Sequence, residues 1–181
     1  NLRPFLQSAR VLLPLKNGDL LLDNGEQLFQ FQPRGESLKA VADQPSERQH
    51  TLGVFRDGSI AVETTDAAAQ KCLFEKYDGT SFKPFPAPPP DCAYNAFIET
   101  QNSDLWLGGD HGLACFHENQ WQTFSNSVVP GAVVGFVETP AGKLWCATAD
   151  AIWELDGQNW TIVRSGFDQI NSVIRSHDGN I

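Results

Sequence analysis

Apolar residues come in short runs separated by turn residues at close, regular spacing. VLLPLK at 11–16 leads into Asn17-Gly18-Asp19, then LLLDN at 20–24 and the alternating run QLFQFQ at 27–32. Alternation of this kind marks a half-buried strand, and Asn-Gly marks the turn between two of them. A weaker strand falls within 35–41, and 43–48 reads as a polar link with a proline. The same order returns as TLGVFR (51–56), Asp57-Gly58, SIAVETT (59–65), KCLFEKY (71–77), Asp78-Gly79 and SFKPF (81–85). It returns again as AYNAFIET (93–100), DLWLGG (104–109), GLACFH (112–117) and QWQTF (120–124). The last full copy is VVGFVE (133–138), Pro140-Ala141-Gly142, KLWCAT (143–148), AIWELD (151–156) and NWTIV (159–163). No segment long enough for a helix shows a 3.6-residue period.

The two later copies match residue by residue. Leu105 falls on Leu144, Trp106 on Trp145, Leu113 on Ile152, Phe116 on Leu155, Trp121 on Trp160 and Phe124 on Val163, all at an offset of 39. The anchor after the first turn is Leu20, Ile60, Leu105, Leu144 and Ile181, at intervals of 40, 45, 39 and 37. The long interval reflects a turn at 66–70 that is about six residues longer than its counterparts. A period near 40 with four short strands is the sequence signature of a propeller blade. A lone four-stranded sheet of that size cannot bury two apolar faces, and stacking such sheets buries them against each other. A β-sandwich would share the turn spacing but has no need of Leu-Trp at the same place in successive units.

The fold expected is therefore all-β, a β-propeller of four-stranded antiparallel blades, with residues 1–181 forming a single propeller or a segment of one. The blades lie at about 11–41, 51–85, 93–124 and 133–163. Partial blades flank these four: a last strand at 1–6, where Leu2, Pro4 and Phe5 repeat Phe82, Pro84 and Phe85, and a first strand at 170–175. Such ends imply a fragment of a longer propeller, either continued in a longer chain or self-associating through its open strand edges. Trp121 and Trp160, on the outermost strands, should cover the next blade's rim, and Gly108 and Gly109 should mark a close backbone approach or a positive φ.

The stretches AFIETQNSDLWLGGDHGLACF and GFVETPAGKLWCATADAIWEL resemble the two-component regulator propeller repeat: an apolar strand, an acidic turn with Gly, Leu-Trp, small residues, Gly-Leu and an aromatic. SVIRSHDGNI is similar to the front half of another copy, and the match is weaker over 11–85. There Leu21 or Ala61 takes the Trp position, and Asp23-Asn24 or Glu63-Thr64 stands where the small pair belongs. The resemblance implies a sensor segment of a bacterial two-component-type signalling protein, periplasmic or extracellular, ahead of a membrane helix and a signalling module. Virginiamycin-lyase-like propellers carry similar repeats and are enzymes, so the resemblance leaves a lyase or hydrolase open, as well as a protein–protein scaffold.

Composition narrows the partners. With 13 Lys and Arg against 22 Asp and Glu, the net charge is −9, and no basic run is present to follow a nucleic-acid backbone or an anionic membrane. No apolar run reaches the length that spans a bilayer, so direct membrane insertion of this segment is not expected. Of the four cysteines, Cys115 and Cys146 lie within apolar strands, while Cys72 and Cys92 lie nearer loops and form the one candidate disulfide pair. No CxxC, HExxH, GxSxG or glycine-rich phosphate loop occurs, so no catalytic residue, metal or cofactor is assigned.

Candidate ligand-binding residues follow from strand order. The turn between the second and third strands of a blade lies at the same end as the link between blades. Asp110, His111, Asp150, Asp66, Asp91, Asp168, Arg48 and His50 all fall in these two loop classes and so converge on one face. A small molecule or carbohydrate is the ligand expected there, although Asp and His also favour turns simply for their local hydrogen bonds.

Overall fold

The structure is a computed structural model that describes residues 9–41, 47–66, 71–86, 94–125, 128–157, 159–176, 178 and 180–181; at 47, 48, 66 and 71 it describes the backbone only. The last strand expected at 1–6, the tip of the long turn at 67–70, and Asp91 and Cys92 lie outside the described residues.

Wherever turn residues interrupt an apolar run, the chain reverses and pairs with itself. The first sheet contains β1 (Val11–Pro14), β2 (Leu20–Asp23), β3 (Leu28–Gln32) and β4 (Ser37–Ala40), and the second contains β5 (Glu47–Val54), β6 (Ile60–Asp66), β7 (Lys71–Tyr77) and β8 (Phe82–Pro84). The third contains β9 (Tyr94–Glu99), β10 (Leu105–Gly109), β11 (Gly112–His117) and β12 (Gln120–Ser125), and the fourth β13 (Val133–Glu138), β14 (Leu144–Thr148), β15 (Ala151–Asp156) and β16 (Asn159–Ser165). Each is a four-stranded antiparallel meander in sequence order, and the described residues contain no helix. The turns work through side chains that stand in for backbone acceptors. Asn17 Oδ1 accepts from Asp19 N at 3.0 Å, Asp57 Oδ1 from Ser59 N at 2.9 Å, and Asp78 Oδ1 from Thr80 N and Ser81 N at 2.9 Å each.

The chain divides into two compact units, Asn1–Ala87 and Pro88–Ile181, with two sheets in each. In the first, Leu15, Leu21 and Leu28 of one sheet pack with Ile60, Val62 and Tyr77 of the other. In the second, Trp106, Leu113 and Cys115 pack with Val133, Phe136, Leu144, Cys146 and Trp160. Successive strand residues face opposite sides, yet every residue of β10 is buried. Both faces of that strand are therefore covered, which is why the apolar run is continuous there instead of alternating.

Trp106 pairs with Cys115 and Ile98, and Trp145 pairs with Glu154 and Val137, so the two occupy equivalent register positions. Their surroundings differ. Trp106 stacks on Phe124 and meets the edge of Trp160, each at 5.6 Å, whereas half-buried Trp145 donates its Nε1–H to Glu154 at 2.8 Å. Trp160 thus packs back onto the preceding sheet and not onto a following one, because its ring completes the apolar pocket that Trp106 and Phe124 open. Trp121 packs within its own sheet, on Phe116 at 5.1 Å.

Two further features depart from the strand spans expected. The second sheet has the longest ladder: β5 begins at Glu47, and the β6–β7 pairing continues to Asp66 opposite Lys71. The described part of this hairpin is therefore longer than its counterparts, and residues 47–50 belong to a strand, not to the link. Residues 170–175 run beside β13, with Val173 over Gly135, and belong to no sheet.

Gly108 shows how close the sheets approach. A Cβ there would lie 2.7 Å from Val133 Cβ and 2.8 Å from Phe136 Cζ, and the β9–β10 register shifts by a bulge at Gly108/Gly109. Overpacking a core by one methyl costs about 1–3 kcal/mol. Gly108→Ala should lower stability by that amount in urea unfolding, and a neutral effect would show that β10 and β13 are not packed this tightly.

Candidate functional site

In the first unit, the β2–β3 turn and the start of β5 meet at one end. Gln49 N donates to Glu26 O at 3.0 Å, tying strand to turn. Beside this contact is an open cleft of about 370 Å³ lined by Arg10, Val11, Asp23, Gly25, His50, Thr51 and Thr65. A volume of this order is typical of small-ligand sites, which occupy about 300–1,000 Å³.

Asp23 is only 3% exposed. Its Oδ1 accepts from Gly25 N at 2.6 Å, and its Oδ2 accepts from Thr51 N at 2.6 Å and Thr51 Oγ1 at 2.9 Å. A buried carboxylate survives desolvation only when it is hydrogen-bonded in this way. The arrangement joins β2 of one sheet to β5 of the next. On β5, His50 stands opposite Glu63 of β6. His50 Nε2 lies 3.6 Å from Glu63 Oε2; the imidazole is 33% exposed and the carboxylate 4%. On the other face of the same sheet, Gln49 Nε2 donates to Thr64 Oγ1 at 3.4 Å and Thr64 Oγ1 to Glu75 Oε2 at 3.1 Å.

The residues expected from strand order separate into two groups, one in each unit. In the first unit, His50 lines the cleft; Arg48 lies opposite Thr65 and Asp66 opposite Glu47, both at the cleft end of the ladder. Arg48 and His50 reach that end on strand β5, because the long β6–β7 hairpin gives the chain more ladder to pair with. In the second unit, Asp110 and His111 form the two-residue turn between β10 and β11, and both are exposed. Asn95 Nδ2 donates to Asp110 Oδ1 at 3.0 Å. Asp150 lies in the β14–β15 turn, where Thr148 Oγ1 donates to its Oδ1 at 3.3 Å. The loop carrying Asp168 folds over this turn through Gly166 N and Phe167 N, which donate to Asp150 O at 3.1 and 3.2 Å. Asp91 lies outside the described residues.

Arg10, Asp23 and Glu63 are the site residues that strand-order reasoning passed over. Asp23 and Glu63 had a signal, since they stand where the later copies carry Gly108 and Ala147. Arg10 had none; only the fold brings it to the cleft. Among the described residues, no three His, Cys, Asp or Glu side chains come together as a metal site. Burial pushes the Cys115 and Cys146 thiols up to about 12, so neither supplies a thiolate near neutral pH.

No protein-family model matches the sequence, and no curated protein matches it. Solved structures do. The extracellular domain of a protein assigned as a one-component system from B. thetaiotaomicron has a TM-score of 0.70 at 13% identity, covering 96% of this chain and 26% of that one. A protein assigned as a gluconolactonase has a TM-score of 0.64 at 14% identity, over 93% of this chain and 67% of the other. Virginiamycin B lyase from Staphylococcus aureus has a TM-score of 0.59 at 11% identity, over 88% and 56%. The chain spans between about a quarter and two thirds of the length of these neighbours. At such identities the likeness concerns the fold, which is of the β-propeller type, built from four blade-like sheets.

Two measurements check this geometry. Asp23→Ala strands three donors and should cost about 3 kcal/mol or more, with Asp23→Asn costing less because its amide oxygen still accepts. Equal effects of the two substitutions on urea unfolding would show that the hydrogen bonds do not hold the sheets together. At the opposite end of the sheets in the second unit, His117 Nδ1 meets Asp104 Oδ1 at 2.6 Å, and the bond and charge of Asp104 raise the His117 pKa. A raised folded-state pKa stabilises fully below the unfolded value of about 6.5 and fades as pH rises through the folded value. NMR titration should therefore find His117 above that value in the wild type and back near it in Asp104→Asn; identical titrations would remove the ion pair.

Proposed function

We propose that this chain is a ligand-binding propeller segment of a bacterial extracytoplasmic sensor of the two-component or one-component kind. It takes a small molecule or carbohydrate at the end where the second-to-third-strand turns and the interblade links gather. The observation that carries the reading is the cleft beside β5, where His50, two threonines and Arg10 gather around buried Asp23. Convergent polar groups over a fixed, desolvated base are what small-ligand recognition requires. The likeness to an extracellular domain of a one-component system supports the sensor setting and the periplasmic or extracellular location. The exposed Asp110, His111, Asp150 and Asp168 occupy the same loop classes in the second unit and are proposed as ligand contacts of that unit.

A second reading is favoured by one feature. A histidine against a buried carboxylate is also the unit of general acid–base catalysis, and two neighbours are assigned as a gluconolactonase and a lyase. In that reading His50 turns a bound ligand over instead of only holding it.

A thermal-shift panel of sugars, sugar acids and small amides, followed by calorimetry on the hits, tests both. His50→Ala should weaken a hit by about tenfold, the value of one good hydrogen bond in a desolvated site. Chemical change of the ligand on incubation would favour the enzyme. A ligand mapped to the Asp57-Gly58 or Pro140-Ala141-Gly142 turns would overturn the site.

A further inference from the structure

The chemistry of the cleft narrows its ligand beyond a small polar molecule. Arg10 precedes β1, and its backbone N donates to Asp23 O at 2.7 Å, which extends the β1–β2 ladder and fixes the residue at the mouth of the cleft. Its side chain lies against Gly25, whose φ is +86°. A Cβ at Gly25 would lie 2.7 Å from Nη1, 2.8 Å from Cζ and 2.9 Å from Nε of Arg10. The guanidinium thus occupies the space that a side chain at 25 would take. Any side chain at 25 would displace it, and the positive φ disfavours one there in any case.

This guanidinium is held but not consumed. Among the described residues no carboxylate forms an ion pair with it. Asp23, which also lines the cleft, has both oxygens hydrogen-bonded, to Gly25 N and to Thr51 N and Oγ1. Five N–H donors in a rigid fork beside the cleft match a carboxylate side-on. His50 and Thr65 also line the cleft, and an imidazole and a hydroxyl suit ligand hydroxyl groups.

Resting on the loop-end reading above, we propose that the cleft binds a small hydroxylated organic acid. Its carboxylate is taken by Arg10, and its hydroxyls meet His50 and Thr65. The buried carboxylate in the cleft lining, Asp23, sets an upper limit on ligand charge. It opposes a dianion, so a monocarboxylate fits better than a phosphate ester. A volume of about 370 Å³ holds one sugar-sized ring.

The test is calorimetry on the full chain with galacturonate, galactose and galactose 1-phosphate, for the wild type, Arg10→Gln and Arg10→Lys. Arg10 is exposed, so both variants should fold, which circular dichroism checks. Galacturonate should bind about 10- to 100-fold more tightly than galactose, the range of a hydrogen bond to a charged group. It should also outbind the phosphate. Arg10→Gln should erase the preference by weakening the acid far more than galactose, Arg10→Lys should restore part of it, and added salt should weaken the acid more than the neutral sugar. Equal binding of acid and neutral sugar, or a preference that survives Arg10→Gln, overturns the acid assignment and leaves loop-end binding standing. If galactose also fails, and every ligand of the wider panel maps to the opposite turns, the loop-end reading falls with it.

Discussion

The structure depends on one constraint: the second strand of each sheet is apolar on a face that only a neighbouring sheet can cover. A four-stranded sheet has too little surface to shield two apolar sides, so its inner strands must lie against a neighbouring sheet. The continuous apolar runs LLL, IAV, LWL and LWC follow from this, because alternation is needed only where one face meets water. So does Gly108, where the distance between sheets leaves no room for a methyl group. Trp145 shows the rule from the other side. Its face carries no second sheet within the unit, so the ring is half-buried and its N–H must be satisfied by Glu154, while Trp106 at the same register position needs only apolar neighbours.

Fold and site were legible to different degrees for a physical reason. Strand number, order and register are written in short-range signals: turn residues with their own hydrogen bonds, and apolar runs between them. The repeat of Leu-Trp over 39 residues then fixed the equivalence of Trp106 and Trp145 before any coordinates. Strand ends were less legible. The polar stretch containing Arg48 and His50 lacks apolar alternation, yet it pairs because β6 and β7 offer ladder beyond the usual length. Whether a polar residue is looped or paired is decided by its partner strand, which a local reading does not see. The direction of Trp160 was likewise set by the hole it fills, between Trp106 and Phe124, and not by its place on an outer strand.

The site was legible only where the repeat broke. Three residues after the anchor, the four sheets carry Asp23, Glu63, Gly108 and Ala147. In the second unit this position is small, and at Gly108 the adjoining sheet leaves no room for a side chain. In the first unit it holds a carboxylate that is almost wholly buried. Burying a charge costs several kcal/mol unless hydrogen bonds replace its water. Glycine or alanine would avoid that cost at the same register, as the second unit demonstrates, so packing alone does not call for acids there. Each acid instead acts on a neighbour at the cleft: Asp23 holds the β2–β3 turn and the Thr51 backbone together, and Glu63 backs the His50 ring. The first unit thus departs from the pattern of the second at the two positions from which a cleft between adjacent sheets can be braced. The same Asp23 backbone also anchors Arg10. One latch therefore sets both the spacing of the sheets and the placement of the cation at the mouth, so the geometry that holds the unit together is also the geometry that shapes its cleft.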